Sequence, residues 1–284
     1  MKKIIATSIL AASLIGCSYA DTQVVTFSAQ QKEDIGKIAA EYLVNHPDFL
    51  IKASHKLQAQ QQEAQKSALL NSVLTPENVN ALVADKTTPT VGMEKSPVTV
   101  VMFFDYNCAY CSLVAPALEK VMADSPNTRF VFKDLPIFSR RWASSNYAAL
   151  VGIGAFKQGG GELYIKYHNA IFSTGKDEGK LKKNDVESVA KKLGIKLPNA
   201  DEVTAYNGMK DAPAKLAKSI GFGGTPAFVV MPTDFYGKSQ DYLSAHKDKV
   251  TVFAGFPSDT PITSKAGATG QAVSALIRAI QKAT

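Results

Sequence analysis

The apolar positions near the start of the chain recur at helical spacing. Ile35, Ile38, Ala39, Tyr42 and Leu43 make one stripe, and Ser28 with Gln31 has the spacing of a capping box. Asn45-His46-Pro47 interrupts the stripe, and Pro47 suits the first turn of a second helix running to about Val73, before Thr75-Pro76. That helix begins apolar (Phe49, Leu50, Ile51, Leu57), yet its middle, QAQQQEAQK, is almost wholly polar. A lone helix of this kind buries no core. Either it packs on the body that follows, or its apolar end meets another copy of the chain. The segment has about fifty residues, too few for a core of its own, which favours self-association through a polar helical stalk.

The pattern then changes. Residues 85–97, rich in Thr, Pro, Gly and Lys, predict a linker running into an edge strand. PVTVVMFFD is a continuous β-branched and aromatic run, the signature of a central strand buried on both faces. Leu113, Leu118 and Val121 return to helical spacing, and TRFVFKDLP predicts a strand stopped by Pro136. From 137 to 216 no strand is convincing: NYAALVGIGAFKQ, ELYIKYHNAIFS, VESVAKKLGI and PAKLAKSIGF all have helical periodicity. The GGG at 159–161 lacks the spacing and strand context of a phosphate loop and predicts a turn between helices. GGTPAFVVM and KVTVFAGF predict paired strands, and GQAVSALIRAI a final helix. The expected boundaries are 1–20 signal peptide, 21–75 helical segment and stalk, 76–97 linker, 98–136 and 217–284 two parts of an α/β domain, and 137–216 a helical insertion between them.

Composition adds limits. The chain has 284 residues, 45% hydrophobic and 20% charged, which suits a globular protein with one or two cores. Its net charge of +7 is thinly spread. The densest cluster, Lys180, Lys182 and Lys183, lies beside Asp177, Glu178 and Asp185, a solvated face and not a nucleic-acid patch. MKKIIATSILAASLIGCSYA carries two lysines before a short apolar stretch, the pattern of an export signal. Ser18-Tyr19-Ala20 fits ordinary cleavage with a mature start at Asp21, the reading adopted here, giving a soluble protein of the bacterial periplasm. Leu14-Ile15-Gly16-Cys17 also resembles a lipobox, which would make Cys17 a lipidated anchor at the outer membrane.

Two cysteines, Cys108 and Cys111, follow the apolar run in FFDYNCAYC. Export places them in an oxidising compartment. A single pair is no structural framework, and closing so short a loop constrains the unfolded chain little. A zinc site needs two further ligands, whereas His46, His55, His168 and His246 are scattered singly. A redox centre is the remaining reading. At a helix N-terminus the unpaired N–H groups and the dipole lower the first thiol's pKa. Cys108 is therefore expected as the exposed nucleophile and Cys111, one turn on, as the resolving thiol. Pro116 is expected to kink their helix.

FFDYNCAYC, the helical insertion and GGTPAFVV together resemble the DsbA-like branch of the thioredoxin-fold thiol:disulfide oxidoreductases, over residues 95–284. The resemblance implies an α/β thioredoxin fold with an inserted helical domain, preceded by a helical oligomerisation segment. It implies a redox-active Cys108–Cys111 disulfide, with no bound cofactor or metal. It also implies a cis Pro226 facing the cysteines, with Thr225 and Pro226 holding an unfolded substrate as an added strand. FSAQQKEDIGKIAAEYLVNHPDFLIKA is similar to the oligomerisation segment of suppressor-of-copper-sensitivity C and Com1-type proteins, which implies a homo-oligomer, a dimer being favoured.

Ala109 and Tyr110, between the cysteines, are expected to tune the site. Tyr110 stands where strongly oxidising DsbA enzymes have histidine, so the Cys108 thiolate lacks a cationic neighbour. With Thr225, it resembles the dimeric DsbC isomerases. Many relatives carry a buried acid where this chain has Met102, leaving water, Asp105 or Lys133 as proton routes for Cys111. The implied function is a disulfide isomerase acting on unfolded or misdisulfided exported proteins and kept reduced by a DsbD-like partner in the inner membrane. The alternatives are a dedicated dithiol oxidase served by a DsbB-like oxidant, a bifunctional isomerase and oxidase, and an envelope-anchored interaction lipoprotein.

Overall fold

Ser28 opens the first helix as its spacing predicts. Its Oγ accepts from the Gln31 N–H at 3.2 Å, and the Gln31 Oε1 accepts from the Ser28 N–H at 2.9 Å. α1 (Ala29–Asn45) and α2 (Asp48–Val73) follow, with Pro47 just before α2. The computed structural model describes residues 26–84, 87–258, 260, 262 and 264–284. The signal segment, Cys17 and the start at Asp21 lie outside the described residues. The chain forms two compact units that divide within α2, one ending at Ala59 and the other spanning Gln60–Thr284. In the first unit no α1 residue is buried. The rings of Tyr42, His46 and Phe49 stack across the turn between the helices, Tyr42 lying 4.4 Å from His46 and 5.6 Å from Phe49.

The expected linker at 76–97 is corrected by the second unit. Val73 and Leu74, at the end of the expected stalk, are fully buried. Thr75 does not merely end α2; its Oγ1 accepts from the Asn78 N–H at 3.2 Å and caps α3 (Pro76–Val83). Thr-Pro is a stop for one helix and also an N-cap with proline in the first turn of the next. Val79, Leu82 and Val83 then bury one face of α3. Only after α3 does a connection lead to β1 (Thr90–Val91), an edge strand.

β2 (Val98–Phe104) pairs in parallel with β3 (Thr128–Asp134) and antiparallel with β4 (Ala227–Pro232). β1 adds antiparallel to β3, and β5 (Thr251–Phe253) antiparallel to β4, giving the order β1-β3-β2-β4-β5. The unbroken apolar run of β2 reflects burial on both faces. Val98, Val100, Met102 and Phe104 enter one core with α4 (Ala109–Asp124), while Val101 and Phe103 enter another with α3.

Between β3 and β4 lie α5 (Ala143–Ser173), α6 (Lys183–Lys192) and α7 (Ala200–Ile220). Gly159 and Gly160 leave helical geometry inside α5, Gly160 at φ 61°, the left-handed region that favours glycine. A Cβ on Gly161 would collide with the Thr90 carbonyl oxygen, so the GGG lets the second half of α5 pass against β1. The expected boundary at 216/217 falls inside α7, which starts earlier than its apolar periodicity. Asn199 caps it, accepting from the Glu202 N–H at 3.0 Å, and its last turns put Leu216, Ala217 and Ile220 into the α3-side core. α8 (Gln240–Ala245) precedes β5, and α9 (Lys265–Ala283) closes the fold beside α4. α4 continues through Pro116. No described helix is long and apolar enough to cross a membrane.

Candidate active site

β2 aims its C-terminal end at the cysteine loop, and Asp105 sets the turn. Its Oδ1 accepts from the Asn107 N–H at 2.8 Å and its Oδ2 from the Phe138 N–H at 2.9 Å. Asn107 is the hub of this loop. Its Nδ2 donates to Ser144 and Ser145 at 3.1 and 3.0 Å, and its Oδ1 accepts from the Gly179 N–H at 3.0 Å. Its backbone carbonyl accepts from the Glu178 N–H at 2.9 Å. These bonds pin the α5–α6 connection beside the cysteines and hold Glu178 at φ 47°. Ala109, Tyr110, Ser112 and Leu113 then form one side of a groove of about 500 Å³ whose other side carries Asp177, Glu178 and Lys180.

Cys108 is the N-cap residue of α4, and Cys111 lies in its first turn. Both thiols are free. The Cys108 Sγ donates to the Thr225 carbonyl oxygen at 3.2 Å, and the Thr225–Pro226 bond is cis. The four residues expected at the site, Cys108, Cys111, Thr225 and Pro226, are therefore brought together from two segments far apart in sequence. Tyr110 projects into solvent at 56% exposure, and Ala109 beside it is half-buried. Cys108, expected as an exposed thiol, keeps only 4% of its surface, because the Thr225 backbone closes over it. Cys111 has none.

The electrostatics separate the two thiols. The Cys111 thiol, donating to Cys108, is the largest influence lowering the Cys108 pKa to about 7; burial opposes it, and the Thr225 side chain and the amides of Cys111 and Tyr110 assist. No capping hydrogen bond is closed from Sγ, so the amides act mainly as oriented dipoles. Burial pushes the Cys111 thiol well above the ordinary range, and the neighbouring Cys108 sulfur pushes it further. Alkylation of the reduced protein by iodoacetamide, followed peptide by peptide, is expected to rise at Cys108 with a midpoint near pH 7 and to spare Cys111. A Cys108 midpoint at the ordinary thiol value of about 8.5 would contradict this assignment.

Two buried polar residues, Asn107 and Asp134, escaped sequence reasoning, while His168, one of the singly scattered histidines, packs in the core. Asn107, a polar residue inside FFDYNC, was a legible signal that went unused. His168 sits among Phe104, Phe132 and Phe172 at ring distances of 4.8–4.9 Å; burial holds its pKa down to about 3, so it is a neutral core ring. Asp134, paired across the sheet with Phe104, is buried with neither carboxylate oxygen bonded among the described residues. Burial, then the charge of Asp105, raises its pKa well above the carboxylate range. Asp134 is a buried acid one strand away from Met102, and Asp105 is buried as well. Asp105 serves the loop. Lys133, a candidate proton route or surface charge by sequence, is neither exposed nor aimed at the cysteines; its Nζ donates to the Ala81 carbonyl and the Thr88 hydroxyl, both at 3.0 Å, on the α3 side.

Residues 99–245, more than half of the chain, match the DSBA-like thioredoxin domain. The chain belongs to this DSBA-like family of thiol:disulfide oxidoreductases. Residues 31–64 match the N-terminal domain of the copper resistance protein ScsC. Among solved structures, BcfH of Salmonella enterica Typhimurium is 35% identical with a TM-score of 0.67, covering 89% of this chain and 96% of that one. A linker-deleted mutant of Proteus mirabilis ScsC is 20% identical with a TM-score of 0.53, covering 90% and 99% of the two chains, a likeness of fold. A curated relative, the Na(+)/H(+) antiporter NhaA 1 of Salinispora arenicola, is 27% identical over 144 residues, 49% of this chain. The chain spans 21% of the length of that relative. The DSBA-like fold and the helical N-terminal segment are thus those implied by FFDYNCAYC, GGTPAFVV and the α1 stripe.

Proposed function

We propose that this DSBA-like protein is a periplasmic protein-disulfide isomerase, working as a homo-oligomer on unfolded or misdisulfided exported proteins. The observation that carries the reading is the geometry of the site, in which the Cys108 Sγ lies against the cis Thr225–Pro226 turn and Tyr110, not a cation, stands between the cysteines, with the Cys108 pKa lowered only to about 7. The best attacking thiol has a pKa near ambient pH, whereas a strong dithiol oxidase of the DsbA kind holds its thiolate near 3.5. A thiolate of higher pKa is the stronger nucleophile, which favours a centre that attacks substrate disulfides over one that only gives its own disulfide away.

In the proposed cycle the Cys108 thiolate attacks one sulfur of a substrate disulfide, forming a mixed disulfide and releasing the other substrate sulfur as a thiolate. A different substrate thiolate then displaces Cys108, and the disulfide has moved with no net electron transfer. If Cys111 displaces the substrate instead, the substrate leaves reduced and a Cys108–Cys111 disulfide remains. Two electrons from a DsbD-like reductant in the inner membrane then restore the dithiol. Thr225 and Pro226 are the proposed substrate-holding edge, and Ala109 and Tyr110 the tuning pair. Periplasmic location rests on the export signal, and the alternative outer-membrane anchor on Cys17.

Acid quenching of native cells with an alkylating mass tag tests this reading. The Cys108–Cys111 pair is expected mostly reduced. A mostly oxidised pair would favour a dithiol oxidase recharged by a DsbB-like partner.

A further inference from the structure

β5 ends the sheet. Among the described residues it pairs with β4 alone, through Thr251, Val252 and Phe253. In an antiparallel strand, alternate residues turn their N–H and C=O groups away from the partner, so an edge presents a row of unused donors and acceptors. Natural edges are usually covered. Here the outer side of β5 opens into a groove of about 590 Å³ between the Gln60-to-Val73 part of α2 and α9, a size typical of ligand sites. The consecutive residues 251–256 all line it, so backbone makes much of its floor. Among the described residues, no backbone bond beyond the β4 pairing engages residues 251–256.

The lining has two chemical characters. Leu69, Val252 and Phe256 supply apolar surface, while Lys66 and Lys282 supply cations, and among the described lining residues none is a carboxylate. The Lys282 Nζ reaches the Val250 carbonyl at 3.3 Å and stands at the start of the strand. An extended segment laid on β5 would send successive side chains to opposite sides, meeting apolar floor and cationic rim in turn. The groove also has a direction. Phe253 pairs with Phe228, two positions beyond Pro226, so its upper end lies at the end of β4 that carries the Thr225–Pro226 turn.

We propose that the free edge of β5 takes up an extended segment of a substrate polypeptide, one alternating apolar and acidic residues, as an added strand between α2 and α9. The proposal deepens the reading that this chain acts on polypeptide substrates and names the segments it selects. Main-chain bonds to β5 supply sequence-independent affinity, and the Lys66 and Lys282 rim supplies the preference for acid.

The test uses a fluorescent, cysteine-free peptide of alternating Glu and Val, its Lys/Val counterpart, and the full chain. By anisotropy the acidic peptide is expected to bind at least about tenfold more tightly, and more weakly as salt is raised. Hydrogen exchange of the wild-type protein is expected to show peptide-dependent protection of the amides at 251–256. Lys66→Glu combined with Lys282→Glu is expected to erase or invert the charge preference. Absence of protection at 251–256, equal binding of both peptides, or an unchanged preference in the variant would each overturn the proposal. Protection that grows with protein concentration in the absence of peptide would overturn it in favour of a second copy of the chain. Because the peptides lack cysteine, thiol exchange of the wild-type protein with oxidised glutathione, assayed separately, reports the chemistry of Cys108 and Cys111 alone.

Discussion

Cys108→Ser is expected to lower the rate of exchange with a disulfide-bonded substrate by at least about a thousandfold, because a serine hydroxyl is not ionised where the native thiol is half-ionised. Cys111→Ser should behave differently. Attack by Cys108 still occurs, but the internal route of release is gone, so the covalent complex with substrate accumulates and is visible on a non-reducing gel. A second comparison isolates the electrostatics. The Cys111 thiol is the largest influence holding Cys108 near 7. Cys111→Ala removes that donor and should move the Cys108 midpoint up toward the ordinary thiol value, whereas Cys111→Ser keeps a hydroxyl donor and should move it less. Equal midpoints in both variants would assign the lowered pKa to the Thr225 side chain and the α4 amides instead. A Cys108→Ser protein with undiminished exchange would remove the cysteine pair from the chemistry.

The parts of this site that were legible in the sequence are those whose physics is local. The central strand is a run of seven residues buried on both faces, and such a run has no other comfortable environment. Ser28 and Gln31 specify a helix start by two hydrogen bonds within one turn. Cys108 and Cys111, and the glycines before Thr225-Pro226, are equally local signals. The misses are tertiary. Val79, Leu82 and Val83 do stand at helical spacing after a Thr-Pro start, but so short a face is placed in the core only when β2 and α7 pack on it. Lys133 looked like a strand-end charge until the Ala81 carbonyl and the Thr88 hydroxyl, at least 45 residues away, gave its ammonium partners. Cys108 was expected to be exposed because a nucleophile must be reached; its cover, the Thr225 backbone, comes from 117 residues along the chain. Asp134 illustrates the same limit, since a KDLP strand end does not announce that its carboxyl will be buried without a partner.

Ile38→Asp combined with Leu50→Asp is expected to abolish the proposed oligomer and leave a monomer, read as a change in mass by sedimentation or light scattering. The argument starts from what the first unit leaves in water. α1 buries none of its residues, and Ile35, Ile38, Tyr42, Leu43, Phe49, Leu50 and Ile51 are all counted among the exposed large apolar side chains. Fully burying such a side chain is worth about 1.5–3 kcal/mol, so covering several that are half-exposed supplies on the order of 5 kcal/mol per copy. Two copies together reach about 10 kcal/mol, comparable with the 4–15 kcal/mol lost on association. The balance is close, and a carboxylate forced into such an interface without a partner costs several kcal/mol more, enough to reverse it. Function should divide at the same point. Each chain carries its own Cys108 and Cys111 in the second unit, so the monomeric variant should still exchange with oxidised glutathione. Reshuffling a misfolded polypeptide benefits from two thiol centres acting on one chain at high effective concentration, so isomerase activity should fall with the mass. A wild-type protein that sediments as a monomer would sink the oligomer, and a monomeric variant with full isomerase activity would show that one CxxC suffices.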